Sequence, residues 1–168
     1  MTRLKKLLNN VKWFFQRVFR KNHISDIETW ECNHYLAKFI LPRLKALRKQ
    51  ELFCYPPDDV SSISVSKTVA DENSKEDKEN LAAWYNKIDE MIFAFEYALY
   101  EDSTDKNSTD FYIRYYGEDP YEKFNKDFDA GTLNFNDENV NYEIVNKAHQ
   151  RALKGFELFG KYFLYLYD

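Results

Sequence analysis

Metal ligation is the first chemistry to weigh, because the 168 residues include three histidines, His23, His34 and His149, and two cysteines, Cys32 and Cys54. A zinc set of Cys32, His34 and His149 would require two helices to face each other. Cys32 and His34 stand two positions apart, so on a helix they point about 200° apart and oppose convergence on one tetrahedral ion. A packed or partly exposed histidine is the plainer expectation. Glu31-Cys32-Asn33-His34 supplies one Glu-x-x-His spacing, but a di-metal bundle needs that spacing from two helices. The acidic turns at 105–109 and 134–138 lack the glycine and the bidentate glutamate that a calcium loop places in register. No glycine-rich phosphate loop, Gly-x-Ser-x-Gly elbow or His-Glu-x-x-His occurs. The sequence therefore assigns no catalytic residue, metal or cofactor, and it favours binding over catalysis.

Two groups of side chains suit binding. Residues 1–21 hold seven bases, among them Arg3, Lys5, Lys6, Lys12, Arg17 and Arg20, and no acid. The rest of the chain keeps 17 of the 24 bases against all 28 acids, a balance of −11. An end of opposite charge points to a partner of its own or to docking on an acidic body. Three readings follow: docking on the body or another subunit, contact with anionic membrane headgroups, and phosphate contact with nucleic acid. The second group is aromatic. Phe111, Tyr112, Tyr115, Tyr116, Tyr121, Phe124 and Phe128 crowd one segment around Arg114. Such rings build cores, yet they also stack on bases and enrich interfaces. Arg43, Lys45, Arg114 and Lys161 beside rings would suit the phosphate and base of a nucleotide signal.

The elements that position these groups are helical. Leu4, Leu7, Leu8, Val11, Phe14, Phe15 and Val18 recur at helical spacing, which predicts a basic amphipathic helix over residues 1–21. Ser25 and Glu28 form a capping-box pattern that opens a second helix from about Asp26 to Gln50. Pro42 predicts a kink or break near Ile40. A third helix is expected over Glu79–Tyr100, striped by Leu81, Trp84, Ile88, Met91, Ile92 and Phe95. A fourth is expected over Asp137–Tyr167, with Gly155 and Gly160 inside it as sites of close approach. Between them, Ser103–Asp110 reads as a polar turn, Tyr121–Phe128 as a short helix and Thr132–Phe135 as extended. Residues 58–78 read as a solvated loop with a brief strand at Ile63 and Val65.

These readings predict a mostly all-α fold. It is a compact bundle of about four principal helices with an irregular aromatic-rich excursion between helices three and four. The expected organisation is an amphipathic helix at 1–21 and one helical domain at 22–168, with inserts at 58–78 and 102–136. No apolar run is long enough to span a bilayer, and no secretory leader or disulfide framework is evident. A reducing cytoplasm is the expected compartment.

Four segments considered together carry a resemblance: Ser25-Asp26-Ile27-Glu28-Thr29-Trp30, the Leu41-Pro42-Arg43-Leu44-Lys45 helix, Met91–Glu96, and Gly155-Phe156-Glu157-Leu158-Phe159 with Lys161-Tyr162-Phe163. The chain resembles a widespread group of small proteins of tailed bacteriophages that have no assigned activity. The resemblance implies a phage origin and a helical fold. The expected function is then a non-enzymatic phage protein that binds, as a virion-associated component or an inhibitor of a host factor. It would act in the host cytoplasm or packaged in, or attached to, the virion. Alternatives are an anti-defence protein that sequesters a nucleotide signal, and a DNA-associated factor working through the basic helix. The partner expected first is a protein, whether a second copy, a phage protein or a host protein. The candidate binding residues are Arg3, Lys5, Lys6, Lys12, Arg17, Arg20, Arg43, Arg114, Tyr115, Tyr116 and Lys161.

Overall fold

Ser74 begins the helix on which the rest is arranged. Its hydroxyl accepts the Asp77 N–H at 3.2 Å, and Glu76 and Asp77 place acids in the first turn. The helix therefore starts four residues before the expected Glu79 and six before Leu81, the first residue of its apolar stripe. In the computed structural model, which describes residues 3–19, 25–57, 67–71, 74–100, 106–132 and 140–166, the helices in chain order are α1 (Arg3–Phe19), α2 (Asp26–Trp30), α3 (Cys32–Lys49), α4 (Lys75–Tyr100), α5 (Lys106–Tyr116), α6 (Glu122–Asp129) and α7 (Tyr142–Tyr162). A 3-10 turn at Phe163–Tyr165 extends α7. A two-residue antiparallel pair, β1 (Cys54–Tyr55) with β2 (Thr68–Val69), clips the chain between α3 and α4. Among the described residues the fold is all-α apart from that clip.

Helix α4 is central because it is apolar on every side in its second half. Met91 through Tyr97 are buried without a break, the pattern of a helix surrounded by protein. One side of α4 meets Ala37, Leu41 and Leu44 of α3 together with Tyr162 and Tyr165 at the end of α7. The other side, through Phe93, Ala94 and Tyr97, meets Phe111 and Tyr112 of α5 and Ile144, Ala148 and Ala152 of α7. The aromatic excursion is thus core in its first part. Residues 106–110, read as a polar turn, are instead the start of α5. Ser108, Phe111 and Tyr112 share its inward face, and that burial outweighs the weak helical propensity of Asn, Ser and Thr. Glycines at positive φ, Gly117 and Gly131, follow α5 and α6, the conformation that ends helices most readily.

The second and fourth helices also differ from expectation, the fourth beginning at Tyr142 with residues 140 and 141 outside it. The second helix is interrupted at Glu31, between α2 and α3, and hydrogen-bonded helix then continues through Pro42. Pro42 is exposed, so the Lys38 carbonyl that loses its donor faces water rather than protein. Of the fourth helix, 137–139 and 167 lie outside the described residues, as do Ile63, Val65 and residues 133–135. Gly155 is the close-approach glycine expected. Gly160 has open space around it.

At the start of α2 the capping box forms. The backbone N–H and hydroxyl of buried Ser25 both donate to the Glu28 carboxylate, at 2.8 and 2.6 Å. Those two bonds, with one from Arg17, hold the Glu28 carboxyl down at about 2. Ser25→Ala should raise that pKa toward the ordinary range of about 4.3, read from the Glu28 side-chain carbon shift in an NMR titration. It should also cost about 1 kcal/mol in denaturant unfolding, the usual magnitude for a lost cap.

Candidate functional site

Glu96 is the charged side chain at the centre of the bundle. It lies within the apolar run of α4 and is 2% exposed. Lys45 reaches it from α3, with Nζ 2.5 Å from Oε1. From α5, Arg114 Nη1 donates to both carboxylate oxygens at 3.2 Å, and the Tyr115 hydroxyl donates to Oε2 at 2.7 Å. Burial pushes the Glu96 carboxyl up, but hydrogen bonds from Lys45 and Tyr115 and the charges of Lys45 and Arg114 outweigh it, so the pKa is depressed. Burial, and then the hydrogen bond to Glu96, push the Tyr115 phenol well above its usual range. Near neutrality the pair is therefore carboxylate and phenol. Its oxygens are occupied by three donors, which makes Glu96 a weak base and a strong structural anchor.

Two further ion pairs surround this hub. Arg151 of α7 forms a fork on Glu90 of α4, at 2.8 and 2.6 Å, with its guanidinium 4.0 Å from the Phe93 ring centre. Arg48 of α3 forms another on Asp89 of α4, at 2.7 and 3.1 Å, over Tyr85. Planar guanidinium suits both the carboxylate fork and the aromatic face. Each of α3, α5 and α7 is thereby tied to α4 by a charged pair.

The residues singled out from the sequence divide accordingly. Lys45, Arg114 and Tyr115 converge on Glu96. Tyr116 lies against Phe93 and Tyr112, where burial pushes its phenol up. Arg43 folds back on its own helix, stacked 3.6 Å from the Phe39 ring centre and donating to the Phe39 carbonyl. Lys161 sits over Tyr162. Arg43 and Lys161 are engaged on rings of their own helices, away from the Glu96 hub. Glu96, Glu90 and Arg151 were missed from sequence; the available signal was a lone acid inside the apolar run Met91–Tyr97. Among the described residues no three His, Cys, Asp or Glu side chains are placed to hold a metal ion. Cys32 is exposed at the start of α3, and His149 turns toward Tyr97.

Helix α1 is different in kind. Arg3, Lys5 and Lys6 lie on it, Arg20 lies outside the described residues, and Lys12 and Arg17 reach Asp26 and Glu28 of α2 at 3.4 and 3.0 Å. Gln16 adds a reciprocal pair with Asp26, donating at 2.6 Å and accepting its N–H at 2.8 Å. The apolar face is uncovered: Leu8, Val11, Phe14, Phe15, Val18 and Phe19 are all exposed, Phe14 at 61% and Phe19 at 76%. Docking of this face on its own body is therefore not what these residues show. A second apolar surface lies between α3 and the end of α7. It is a cavity of about 190 Å³ lined by Phe39, Ile40, Leu44, Leu47, Phe159 and Phe163, with Arg43 and Leu166 completing it.

Compared with known proteins, the chain matches no family model, no curated protein and no solved structure. No described helix is long and apolar enough to cross a membrane.

Proposed function

We propose that the chain is a phage protein that acts by binding, as a virion-associated component or an inhibitor of a host factor, and that α1 is its docking element. The observation that carries this reading is the uncovered apolar face of α1, with Phe14, Phe15 and Phe19 exposed on a helix that bears the basic end of the chain. Leaving six large apolar side chains in water opposes the burial that gives short helices their stability. A partner that covers them supplies it. Lys12 and Arg17 already face carboxylates on α2, so a track of phosphates would compete for them, whereas the apolar face has no competing neighbour. That ordering favours a protein partner over DNA or RNA. The sequestered-nucleotide alternative draws less support, because Arg43 and Lys161 do not converge with Arg114 on one cavity.

The test is recovery of partners by the tagged full chain from infected cells and from purified virions. Phe14→Asp/Val18→Asp should lower recovery of the same partner at least about tenfold, equivalent to ~1.4 kcal/mol, with unchanged helical circular dichroism. Recovery should persist at about 0.5 M salt, where exposed ionic contacts are screened. Equal recovery by the variant, or recovery of nothing that depends on α1, overturns the reading.

A further inference from the structure

We infer that Lys45 of α3 and Arg114 of α5 form a binding site for a phosphate group, with the buried Glu96 carboxylate beneath them as the post that holds both cations in place. The site lies on the body of the bundle and does not depend on α1.

Charge singles out this pair. Arg48, Arg151, Lys126 and Lys147 each face a carboxylate of their own, on Asp89, Glu90, Glu122 and Glu143. Lys45 and Arg114 share Glu96, which among the described residues is the only acid paired with either. One positive charge is left over. An unbalanced cation is ordinary on a surface, but this one is fixed. Glu96 is 2% exposed, whereas Lys45 and Arg114 are each about half exposed, so the carboxylate lies below and the cations face water above it. Tyr115 donates to Oε2 and keeps the carboxylate from turning. Long basic side chains normally lose rotamer freedom when they grip a ligand. Here Glu96 has already ordered them, which is the advantage of a preorganised site.

Spacing and donor count suit an oxyanion. Lys45 Nζ and Arg114 Nη1 both contact Glu96 Oε1, at 2.5 and 3.2 Å, so they are no more than about 6 Å apart. One oxyanion bridges such a gap with a charge-assisted hydrogen bond of about 2.8 Å to each side. Arg114 spends Nη1 alone on Glu96, so its Nη2 and Nε hydrogens remain for a ligand, and a lysine ammonium has three hydrogens to give. That supply exceeds what a carboxylate would use and matches the three acceptor oxygens of a phosphate group. A second guanidinium, Arg151, lies over the same Tyr115 ring as Arg114, at 5.3 and 5.4 Å. Its fork on Glu90 occupies it, so it adds positive potential and no contact.

The test is a titration of the isotope-labelled full chain with inorganic phosphate, followed by NMR at the Arg114 Nε–H and the Lys45 and Arg114 amides. These signals should shift and saturate with a Kd of about 1 mM, the weak end of the affinity scale, as befits one charged group on an open surface. Chloride at matched ionic strength should not reproduce the shifts, because it only screens. Lys45→Met and Arg114→Met should each weaken binding at least about tenfold, the loss of one hydrogen bond to a charged group, with unchanged helical circular dichroism. Arg48→Met removes a cation that has its own carboxylate and should leave the affinity within about twofold, since it alters only a distant, screened charge. Shifts that stay linear to about 20 mM phosphate, equal shifts with chloride, or an equal loss in Arg48→Met overturn the site. Acetate binding as tightly as phosphate overturns the phosphate assignment. A nucleoside monophosphate distinguishes the sources of the group. Affinity equal to that of inorganic phosphate assigns the site to free phosphate, and tighter binding that Lys45→Met abolishes assigns it to phosphate carried on a larger ligand.

Discussion

Gly155→Ala should destabilise the protein by about 3 kcal/mol, against a native stability that for most domains is about 5–15 kcal/mol. Alanine normally strengthens a helix interior by about 1 kcal/mol over glycine, so the sign depends on what the new methyl meets. Here it meets backbone: a Cβ at Gly155 would overlap the Glu90 carbonyl and lie 2.6 Å from the Ala94 Cβ. A backbone carbonyl inside a helix cannot swing aside as a side chain can. Relief requires α4 and α7 to separate, and that separation also pulls Glu90 from the Arg151 fork and loosens the Phe93 side of the core. Gly160 is the internal control. It lies in the same helix with nothing within 4 Å of an added Cβ, so Gly160→Ala should stabilise by about 0.5 kcal/mol. In urea unfolding the two alanines should shift the midpoint in opposite directions, and the melting temperature of the Gly155 variant should fall by roughly 10 °C for a chain of this size. Equal shifts would mean that α4 and α7 are not packed backbone to backbone at this crossing.

The same crossing shows where the sequence was legible. The stripe from Leu81 to Phe95 marks α4 because an amphipathic face repeats whichever neighbours cover it. Gly155 stands out because a glycine within such a stripe demands a reason. Ser25 and Glu28 mark the α2 start because the cap is built from residues three apart. Other features depend on distant residues. Residues 106–110 read as a turn because their composition is polar, and they are helical because Phe111 and Tyr112 need the α4 and α7 faces. Pro42 reads as a break, and the helix continues because that side of α3 faces water. At the site, Arg114 and Tyr115 were identifiable by type and Lys45 by its charge beside rings. Their meeting point was not, since Glu96 lies about fifty residues from Lys45 and nearly twenty from Arg114, on a third helix. Whether α1 covers its own body or leaves its apolar face open is equally invisible to periodicity, which reports that a face exists and not what occupies it.

Glu96→Leu should cost about 3 kcal/mol and Glu96→Gln about 2 kcal/mol in unfolding at pH 7, below the upper end for broken buried ion pairs. The moderation comes from the partners. Lys45 and Arg114 are each about half exposed, so when the carboxylate is removed they regain water instead of remaining as buried bare charges. Glutamine keeps the shape and can still accept from Tyr115, which explains its smaller cost; leucine leaves that half-buried hydroxyl without its acceptor. The pH dependence separates this role from plain packing. The folded-state pKa of Glu96 is depressed relative to an ordinary glutamate, so its contribution is complete above about pH 4.5, the unfolded value. It is lost as pH falls through the folded value, because protonation then costs more in the native state. Wild-type stability should therefore drop more steeply than that of Glu96→Gln as pH falls below about 4.5, the ordinary carboxylate range, and the two curves should converge at the acid end. Parallel curves would show that Glu96 holds its place through packing alone. Lys45→Met tests the charge from the other side: it removes one of two cations and should reduce the steepness without abolishing it, because Arg114 and Tyr115 still hold the carboxylate in its ionised form.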